Sequence, residues 1–125
     1  MQEIRNETFS EKERLLLEFA LQDDFPERDT VLRQLNNVSG TDILRDISPY
    51  YWIMEFRPGG VRAGYDGMHP IVNLLVLHED SVVPTVFNLY EKDGHVFELE
   101  IFNADSSELD MDRIMIGRIQ QQDGF

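Results

Sequence analysis

The sequence contains no cysteine, which excludes disulfide bonds, thiolate metal sites and a cysteine nucleophile. Basic residues are also few: 11 lysines and arginines stand against 24 aspartates and glutamates, and the formal net charge is −13. A field of this sign repels nucleic acid and anionic membranes and attracts cationic surfaces. The composition therefore predicts neither a nucleic-acid partner nor a membrane partner.

Long hydrophobic runs are missing as well. The longest apolar stretch, residues 71–77, is interrupted by Asn73 and is much shorter than the ~18 residues of a membrane span. The first residues are acidic and polar, whereas a signal peptide has a basic segment followed by an apolar one. Together with the lack of cysteine, these features predict a cytoplasmic protein.

The chain of 125 residues, 42% of them hydrophobic, suits a single domain over residues 1–125 with its own core. Residues 1–9 are predicted to form a loose N-terminal arm. A helix is predicted next, because Ser10 and Glu13 have the spacing of a capping box. The apolar stripe of this helix is predicted to contain Leu15, Leu16, Phe19 and Ala20.

A second helix is predicted to begin at Pro26, since a proline suits the first helical position. Its apolar stripe is Val31, Leu32 and Leu35, and its end is marked by Asn36, Asn37 and Gly40. Beyond residue 48 the apolar period changes to two, which is typical of strands. Strands are predicted at 50–56 and 71–77, and the glycine-rich segment 57–70 between them is predicted to be a flexible loop that could join a binding surface.

Residues 85–102 have the pattern of a β-hairpin, followed by a polar turn at 103–112 and a last short strand at 113–119. The whole pattern predicts an α+β fold with two N-terminal helices packed on one face of an antiparallel sheet of about four to five strands.

The hairpin allows two registers. A two-residue turn at 93–94 would place Phe87 opposite Glu100, and a three-residue loop at 92–94 would place it opposite Leu99. The second register sets apolar residues opposite one another, and we predict it for that reason. In this register the core face carries Phe87, Leu89, Phe97, Leu99 and Ile101, and the outer face carries Val96, Glu98, Glu100 and Phe102.

Residues 98–112 hold six carboxylates and no basic residue. A calcium loop of the EF-hand type needs a glycine at its sixth position, where this chain has Asp110, so that motif does not match. Two glutamates two residues apart on a strand lie ~7 Å apart, a separation found in glycosidases but shared by every such pair. The stretch is a solvated turn, a weak surface cation site, or a contact surface for a basic partner, and that contact surface would be formed by Glu98, Glu100, Asp105, Glu108, Asp110 and Asp112.

Tyr50, Tyr51 and Trp52 are consecutive in a predicted strand, so their side chains must alternate between its two faces. Trp52 is predicted to lie in the core. Tyrosine is a residue that anchors interfaces, and Tyr50 or Tyr51 is predicted to join the acidic contact surface.

Enzyme motifs are missing from the sequence. It contains no G-x-S-x-G, P-loop, G-x-G-x-x-G or H-E-x-x-H pattern, and His69, His78 and His95 share no helical spacing. No catalytic residue, cofactor or metal ligand is therefore predicted, and the protein is predicted not to be an enzyme.

Two stretches resemble a family of small, uncharacterised bacterial proteins. In that family a leucine-rich helix leads into an F-P-x-R-D motif, and a C-terminal hairpin has a D-G turn and an L-E-I strand. The matching residues are Leu16, Phe25, Pro26, Arg28, Asp29, Gln34 and Leu35 in the first stretch, and Asp93, Gly94, Glu98, Leu99, Glu100 and Ile101 in the second. The resemblance covers somewhat under half the chain; it implies an α+β fold and no particular activity.

Small acidic proteins of this kind also look like the immunity partners of bacterial toxins. The leading functional hypothesis is thus a non-enzymatic binding protein, specifically an immunity-type inhibitor of a cationic toxin such as a nuclease. The alternative is a housekeeping or regulatory domain whose acidity serves solubility. An enzyme of unknown type is the third hypothesis.

Overall fold

The computed structural model describes residues 4–57, 66–79, 81–116 and 118–121. Three helices are present in this part of the chain: α1 (Glu11–Ala20), α2 (Arg28–Asn37) and a short α3 (Met111–Ile116). The strands are β1 (Ile43–Ile47), β2 (Tyr51–Phe56), β3 (Met68–His78), β4 (Ser81–Lys92), β5 (His95–Asn103) and β6 (Arg118–Gln121). They form one antiparallel sheet in the order β1-β2-β5-β4-β3-β6.

The predicted α+β class is confirmed, and the helices α1 and α2 precede the sheet and pack on one of its faces. The ring of Phe19 in α1 lies 5.3 Å from that of Phe87 in β4. The side chain of Gln34 in α2 donates to the Gly94 carbonyl at 2.9 Å and accepts from the Val96 amide at 2.7 Å. Helices and strands therefore share one hydrophobic core.

Helix α1 has the predicted capping box, in which Ser10 and Glu13 exchange hydrogen bonds. Its buried stripe is rotated by one position from the prediction, because Leu17 is buried and Leu15 is 47% exposed. In α2 the predicted core residues Val31, Leu32 and Leu35 are all buried. This helix begins at Arg28, two residues later than predicted.

The expectation of a loose arm does not hold for residues 4–9. Ile4 and Phe9 are buried in the main core, and the Phe9 ring meets Phe56 edge-on with 6.1 Å between centroids. The side-chain amide of Asn6 donates to the carbonyls of Leu35 at 3.0 Å and Val38 at 2.6 Å. These contacts fix the segment against the end of α2.

Two differences appear at the ends of the sheet. Strand β1 was not predicted, because its residues are mostly exposed and show no alternating burial. The strand predicted at 113–119 is wrong in its first part, since the Asp110 carboxylate accepts from the amides of Asp112 at 3.1 Å and Arg113 at 3.2 Å. That N-cap starts α3.

The predicted loop 57–70 is described in part. Residues 58–65 lie outside the described residues, and with them most of the segment that was expected to be flexible. Residues 66–67 form a turn, in which Gly67 has a φ of 81°, and residues 68–70 already belong to β3.

The β4–β5 turn is shorter than predicted. Asp93 and Gly94 both have positive φ, 52° and 79°, which defines a two-residue type I′ turn, and Lys92 pairs with His95. The prediction of a three-residue loop is therefore wrong. Apolar residues still face one another, because a β-bulge next to Tyr90 shifts the register by one residue.

The bulge reverses the sheet faces on which the side chains of Val96 and Phe97 were predicted to lie. It pairs Leu89 with Leu99 and Phe87 with Ile101, and all four lie in the core as predicted. Nearer the turn, however, Val96 joins this core, whereas Phe97 is buried outside it with the Lys92 ammonium 5.7 Å from its ring centroid. Phe97 is therefore buried, as predicted, but does not belong to the main hydrophobic cluster under the helices.

Candidate functional site

The face of the sheet opposite α1 and α2 carries a central row of polar residues. Glu55 of β2 lies opposite Glu98 of β5, and Glu98 lies opposite Tyr90 of β4. Glu55 is 4% exposed and Glu98 is 5% exposed. Arg57 donates from Nε to one oxygen of Glu55 at 3.0 Å and from Nη2 to the other at 3.4 Å.

The burial of Glu98 corrects one predicted contact residue. Glu98 was expected to face outward and touch a partner, but its side chain is only 5% exposed, although it lies on the face opposite α1 and α2. A partner in solution cannot reach a side chain buried to this degree. Glu98 acts on its surroundings through charge, since it helps raise the pKa of Tyr90.

A second polar row crosses the sheet beside the first. Asn73 donates to Asn88, and the Asn88 amide donates to Oε1 of Glu100 at 3.2 Å. The Tyr90 hydroxyl donates to the same oxygen at 3.4 Å. Burial, followed by the charge of Glu100, raises the pKa of Tyr90 to about 12, so Tyr90 remains a donor at neutral pH. Glu100 is thus a half-buried carboxylate held in place by two donors.

The outer face ends in an open groove of about 340 Å³ next to Glu100. We term it the tyrosine groove, and its lining residues are Tyr50, Tyr51, Ile53, Glu100, Phe102 and Ser106. Tyr50 is 50% exposed, and the Tyr51 hydroxyl donates to Asp46 at 3.2 Å. The groove combines aromatic rings, apolar side chains and one oriented carboxylate, which suits a side chain with an apolar stem and a cationic end.

The turn after β5 lies at the rim of this groove. Ser106 lines the groove, and the Leu109 amide donates to the Pro49 carbonyl at 2.8 Å, which holds the turn against the residues that precede Tyr50. Asp105 and Glu108 in this turn are exposed, and we term these two residues the acidic rim. The rim adds negative charge in the turn that contributes Ser106 to the groove.

Hydrogen bonds within the turn define its shape. The Asp105 carboxylate accepts from the Ser107 amide at 3.0 Å, and the Asn103 amide group donates to the Glu108 carbonyl at 2.8 Å. The bonds from Ser107 hold the pKa of Asp105 below its ordinary value. Asp105 therefore carries its charge throughout the neutral range.

Three of the eight predicted contact residues, Tyr50, Tyr51 and Glu100, line the tyrosine groove, and Asp105 and Glu108 lie in the turn that contains the lining residue Ser106. Glu98 is buried, and Asp110 caps α3. Asp112 lies in a separate groove of about 230 Å³ with Glu11, Lys12, Leu15 and Met111. Asp110 and Asp112 therefore do not line the tyrosine groove.

Sequence reasoning missed the apolar part of the groove. Ile53 and Phe102 belong to β2 and β5, which are paired strands far apart in the sequence. Their alternation with the core residues Met54 and Ile101 assigns them to the outer face. The sequence carries no signal for the pairing of β2 with β5, and so the two side chains could not be placed together.

The histidines do not form a common site. His69 lies 3.1 Å from Glu91, His78 is hydrogen-bonded to Thr85 at 2.9 Å, and His95 contacts the Val96 carbonyl at 2.7 Å. Across the described ranges, no group of three or more histidine, cysteine or acidic residues is arranged to hold a metal ion. Within the same ranges, no helix combines the length and the apolar character needed to cross a bilayer.

No protein-family model, curated protein or solved structure matches the chain. The features of the molecule that bear on its function are therefore the tyrosine groove, the acidic rim and the overall charge.

Proposed function

We propose that this protein is a non-enzymatic binding protein that captures a basic protein partner at the tyrosine groove. The observation that supports the proposal is the meeting of half-exposed Tyr50 with Glu100, a carboxylate already oriented by Asn88 and Tyr90. A lysine or arginine of the partner fits this arrangement. Its stem contacts Ile53 and Phe102, and its charge reaches Glu100.

The second oxygen of Glu100 is suited to this role. Oε1 accepts from Asn88 and Tyr90, whereas no donor in the described part of the chain contacts Oε2. An arginine paired with this oxygen and stacked on Tyr50 would combine a charged hydrogen bond with a cation–π contact, each worth ~1 kcal/mol or more when desolvated. Such aromatic and charged anchors account for most of the energy in many interfaces.

The negative charge outside the groove increases the rate at which a cationic partner associates. Asp105 and Glu108 lie exposed in the turn that contains Ser106, and the whole chain carries a net charge of −13. Individual exposed charges contribute little to affinity, typically below ~1 kcal/mol. Their summed field steers a cationic partner toward the groove and can raise association rates tenfold or more at low salt.

The specific form of the proposal is a cytoplasmic immunity-type inhibitor of a cationic bacterial toxin such as a nuclease. Its support is the small acidic chain, the groove and the resemblance of two sequence stretches to small bacterial proteins. A basic toxin domain encoded beside this chain would be the expected partner.

The alternative is a housekeeping or regulatory domain whose acidity serves solubility. One observation favours it: Asp105 and Asp110 each accept hydrogen bonds from nearby backbone amides, so part of the acidic stretch stabilises a turn and a helix start. Such residues would have a structural role even if the protein had no basic partner.

Capture from extracts of the native host tests the proposal. Wild-type bait should recover a basic protein, and the double variant Tyr50→Ala/Glu100→Gln should bind that protein at least about tenfold more weakly. Asp112→Asn is the matched control, because it removes one exposed carboxylate outside the groove and should leave the affinity nearly unchanged. Recovery of no partner, or equal binding by the wild type and the double variant, would contradict the proposal.

A further inference from the structure

Strand β1 leaves one edge of the sheet open, since among the described strands it pairs with β2 alone. The Ser48 amide donates to the Tyr51 carbonyl at 3.0 Å, and the Arg57 amide donates to the Asp42 carbonyl at 2.7 Å. The backbone N–H and C=O groups of residues 42 and 48 thus point toward β2. Along an antiparallel strand, these groups point alternately toward and away from the neighbouring strand. The backbone N–H and C=O groups that point away from the sheet are therefore those of Ile43, Arg45 and Ile47.

This edge lacks several of the features that usually prevent strand pairing, although it is five residues long and carries the charged residues Arg45 and Asp46. Strand β1 contains no lysine and no proline, and its pairing with β2 is regular, without a bulge. Its one cation, Arg45, is already paired with Glu13. The unpaired backbone groups of β1 are open to a further strand.

The edge also concentrates exposed apolar surface. Leu44 is 43% exposed and Ile47 is 45% exposed, and Tyr50 follows them at the start of the tyrosine groove. Leu44 and Ile47 point to opposite faces of the sheet, as side chains of odd and even positions do. An added strand would therefore find an apolar contact on each face.

We infer that the β1 edge binds an extended basic segment of the partner as an additional antiparallel strand, an inference that rests on the proposed function. Backbone hydrogen bonds would supply affinity, as in known strand addition. Asp42 and Asp46 next to the exposed positions favour lysine or arginine in that segment. The Tyr51 hydroxyl bonds to Asp46, so the edge and the tyrosine groove form a continuous surface.

A second copy of this chain fits the edge less well than a basic segment. Two chains of net charge −13 repel one another. In addition, a symmetric antiparallel pairing centred on β1 would place Arg45 beside Arg45 of the other copy. Charge and symmetry therefore both favour a cationic partner.

The probe is a short capped peptide of alternating valine and lysine, compared at low salt with a peptide in which glutamate replaces lysine. The lysine peptide should slow hydrogen exchange at the amides of Ile43, Arg45 and Ile47. The amide of Val82, in an exposed position on β4, should be unaffected. The glutamate peptide should bind at least about tenfold more weakly.

The matched variants are Ile47→Pro and Ile47→Thr. Proline at this position removes an outward N–H that β2 does not use, so the sheet should remain intact while peptide binding weakens at least about tenfold. Threonine keeps the N–H and should bind much more tightly than proline. If the proline variant does not fold, the hydrogen exchange of the wild-type edge amides in the presence of the lysine peptide still tests the inference.

The outcomes separate this inference from the proposed function. Unprotected edge amides in the presence of the lysine peptide, or equal binding of both peptides, would overturn the edge inference. A captured native partner that is retained by Ile47→Pro but lost by Tyr50→Ala/Glu100→Gln would likewise overturn it and leave the proposed function standing. Protection of the edge amides without peptide, together with dimerisation in sedimentation, would assign the edge to a second copy and overturn the inference.

Discussion

The guanidinium of Arg45 in β1 donates to the carboxylate of Glu13 in α1 at 2.5 Å, which joins the first strand to the first helix. The same carboxylate accepts from the Ser10 amide at 2.8 Å and so completes the helix cap. Burial alone would raise the pKa of Glu13, but the hydrogen bonds from Arg45 and Ser10 outweigh it, and the pKa is lowered. One side chain thus serves as a helix cap and as an ion-pair partner.

The substitution Glu13→Gln separates these two roles, because glutamine also suits the third position of a capping box. We expect a loss of about 1–2 kcal/mol in the free energy of unfolding at neutral pH, less than for a fully buried pair because Arg45 is a third exposed. Since the pKa of Glu13 is lowered in the folded state, the ion pair stabilises above the ordinary value of 4.5 and is lost as the pH falls below it. Urea titrations at neutral and acidic pH should show the difference between wild type and variant shrinking with acid. A constant difference would contradict this role.

Leu99→Ala should lower the free energy of unfolding by about 2–5 kcal/mol, because Leu99 is fully buried between the helices and the sheet. Leu15→Ala is the matched control, since Leu15 is largely exposed and its truncation should cost less than ~1 kcal/mol. Denaturant unfolding measures both. Similar costs for the two variants would contradict the observed rotation of the helix stripe and the position of β5.

Gly94→Ala should destabilise the hairpin by ~1 kcal/mol or more, because Gly94 has a φ of 79° in the type I′ turn. Asp93→Asn should be nearly neutral, since asparagine also adopts the left-handed conformation of the first turn position. Gly40→Ala provides the control: its added Cβ would lie 3.6 Å from the nearest atom of Thr8, an ordinary contact. Thermal unfolding of the three variants should rank Gly94→Ala clearly lowest. A neutral Gly94→Ala variant would contradict the left-handed conformation of Gly94.

Tyr90→Phe should change the response of stability to alkaline pH. The folded state holds the Tyr90 proton up to a pKa of about 12, above the ordinary value of 10.0. Between these values the unfolded chain releases that proton and the folded chain does not, so the stability of the wild type falls as the pH rises. The variant lacks this contribution and should lose less stability over the same interval. Parallel urea titrations from pH 10 to about pH 12 would show the difference, and identical slopes would count against it.

Replacement of Asp105, Glu108, Asp110 and Asp112 by their amides should leave folding almost intact, because asparagine also caps helices and turns. The association rate with a basic partner should fall and its salt dependence should flatten, as measured by stopped flow at several salt concentrations. A metal site predicts a different result, in which the wild type, but not the variant, gains thermal stability with added calcium. An unchanged rate without any calcium effect would leave the stretch as a solvated turn.

The features that were predicted correctly from the sequence are those with a local signal. Ser10 and Glu13 predicted the first helix start, and Val31, Leu32 and Leu35 predicted the buried side of the second helix. The alternation in β5 placed Leu99 and Ile101 in the core. In each case the pattern spans a few residues and reflects one backbone period.

The features that were missed depend on distant pairings or on unrecognised local geometry. The burial of Glu98 and the bulge that moves Phe97 out of the main hydrophobic cluster have no local sequence signal. For α3 a signal did exist, since Asp110 is a good N-cap, but six residues are too few to show a helical period. Of the residues that line the tyrosine groove, Tyr50, Tyr51 and Glu100 were predicted as contact residues and Phe102 was predicted on the outer face, but Ile53 was not placed with them.

The order of strands in the sheet has a consequence for how the chain folds. Strands β3, β4 and β5 are joined by consecutive hairpins, so their pairing closes short loops. Strand β2 joins β5, and β6 joins β3, across much longer stretches of chain. Because loop-closure entropy must be overcome before distant contacts stabilise, we expect the central meander to form early and the outer strands to add late. Strand β1 is joined to β2 by a short turn, so these two strands should add to the meander together, and the outward amides of β1 should be among the first to exchange in the native state.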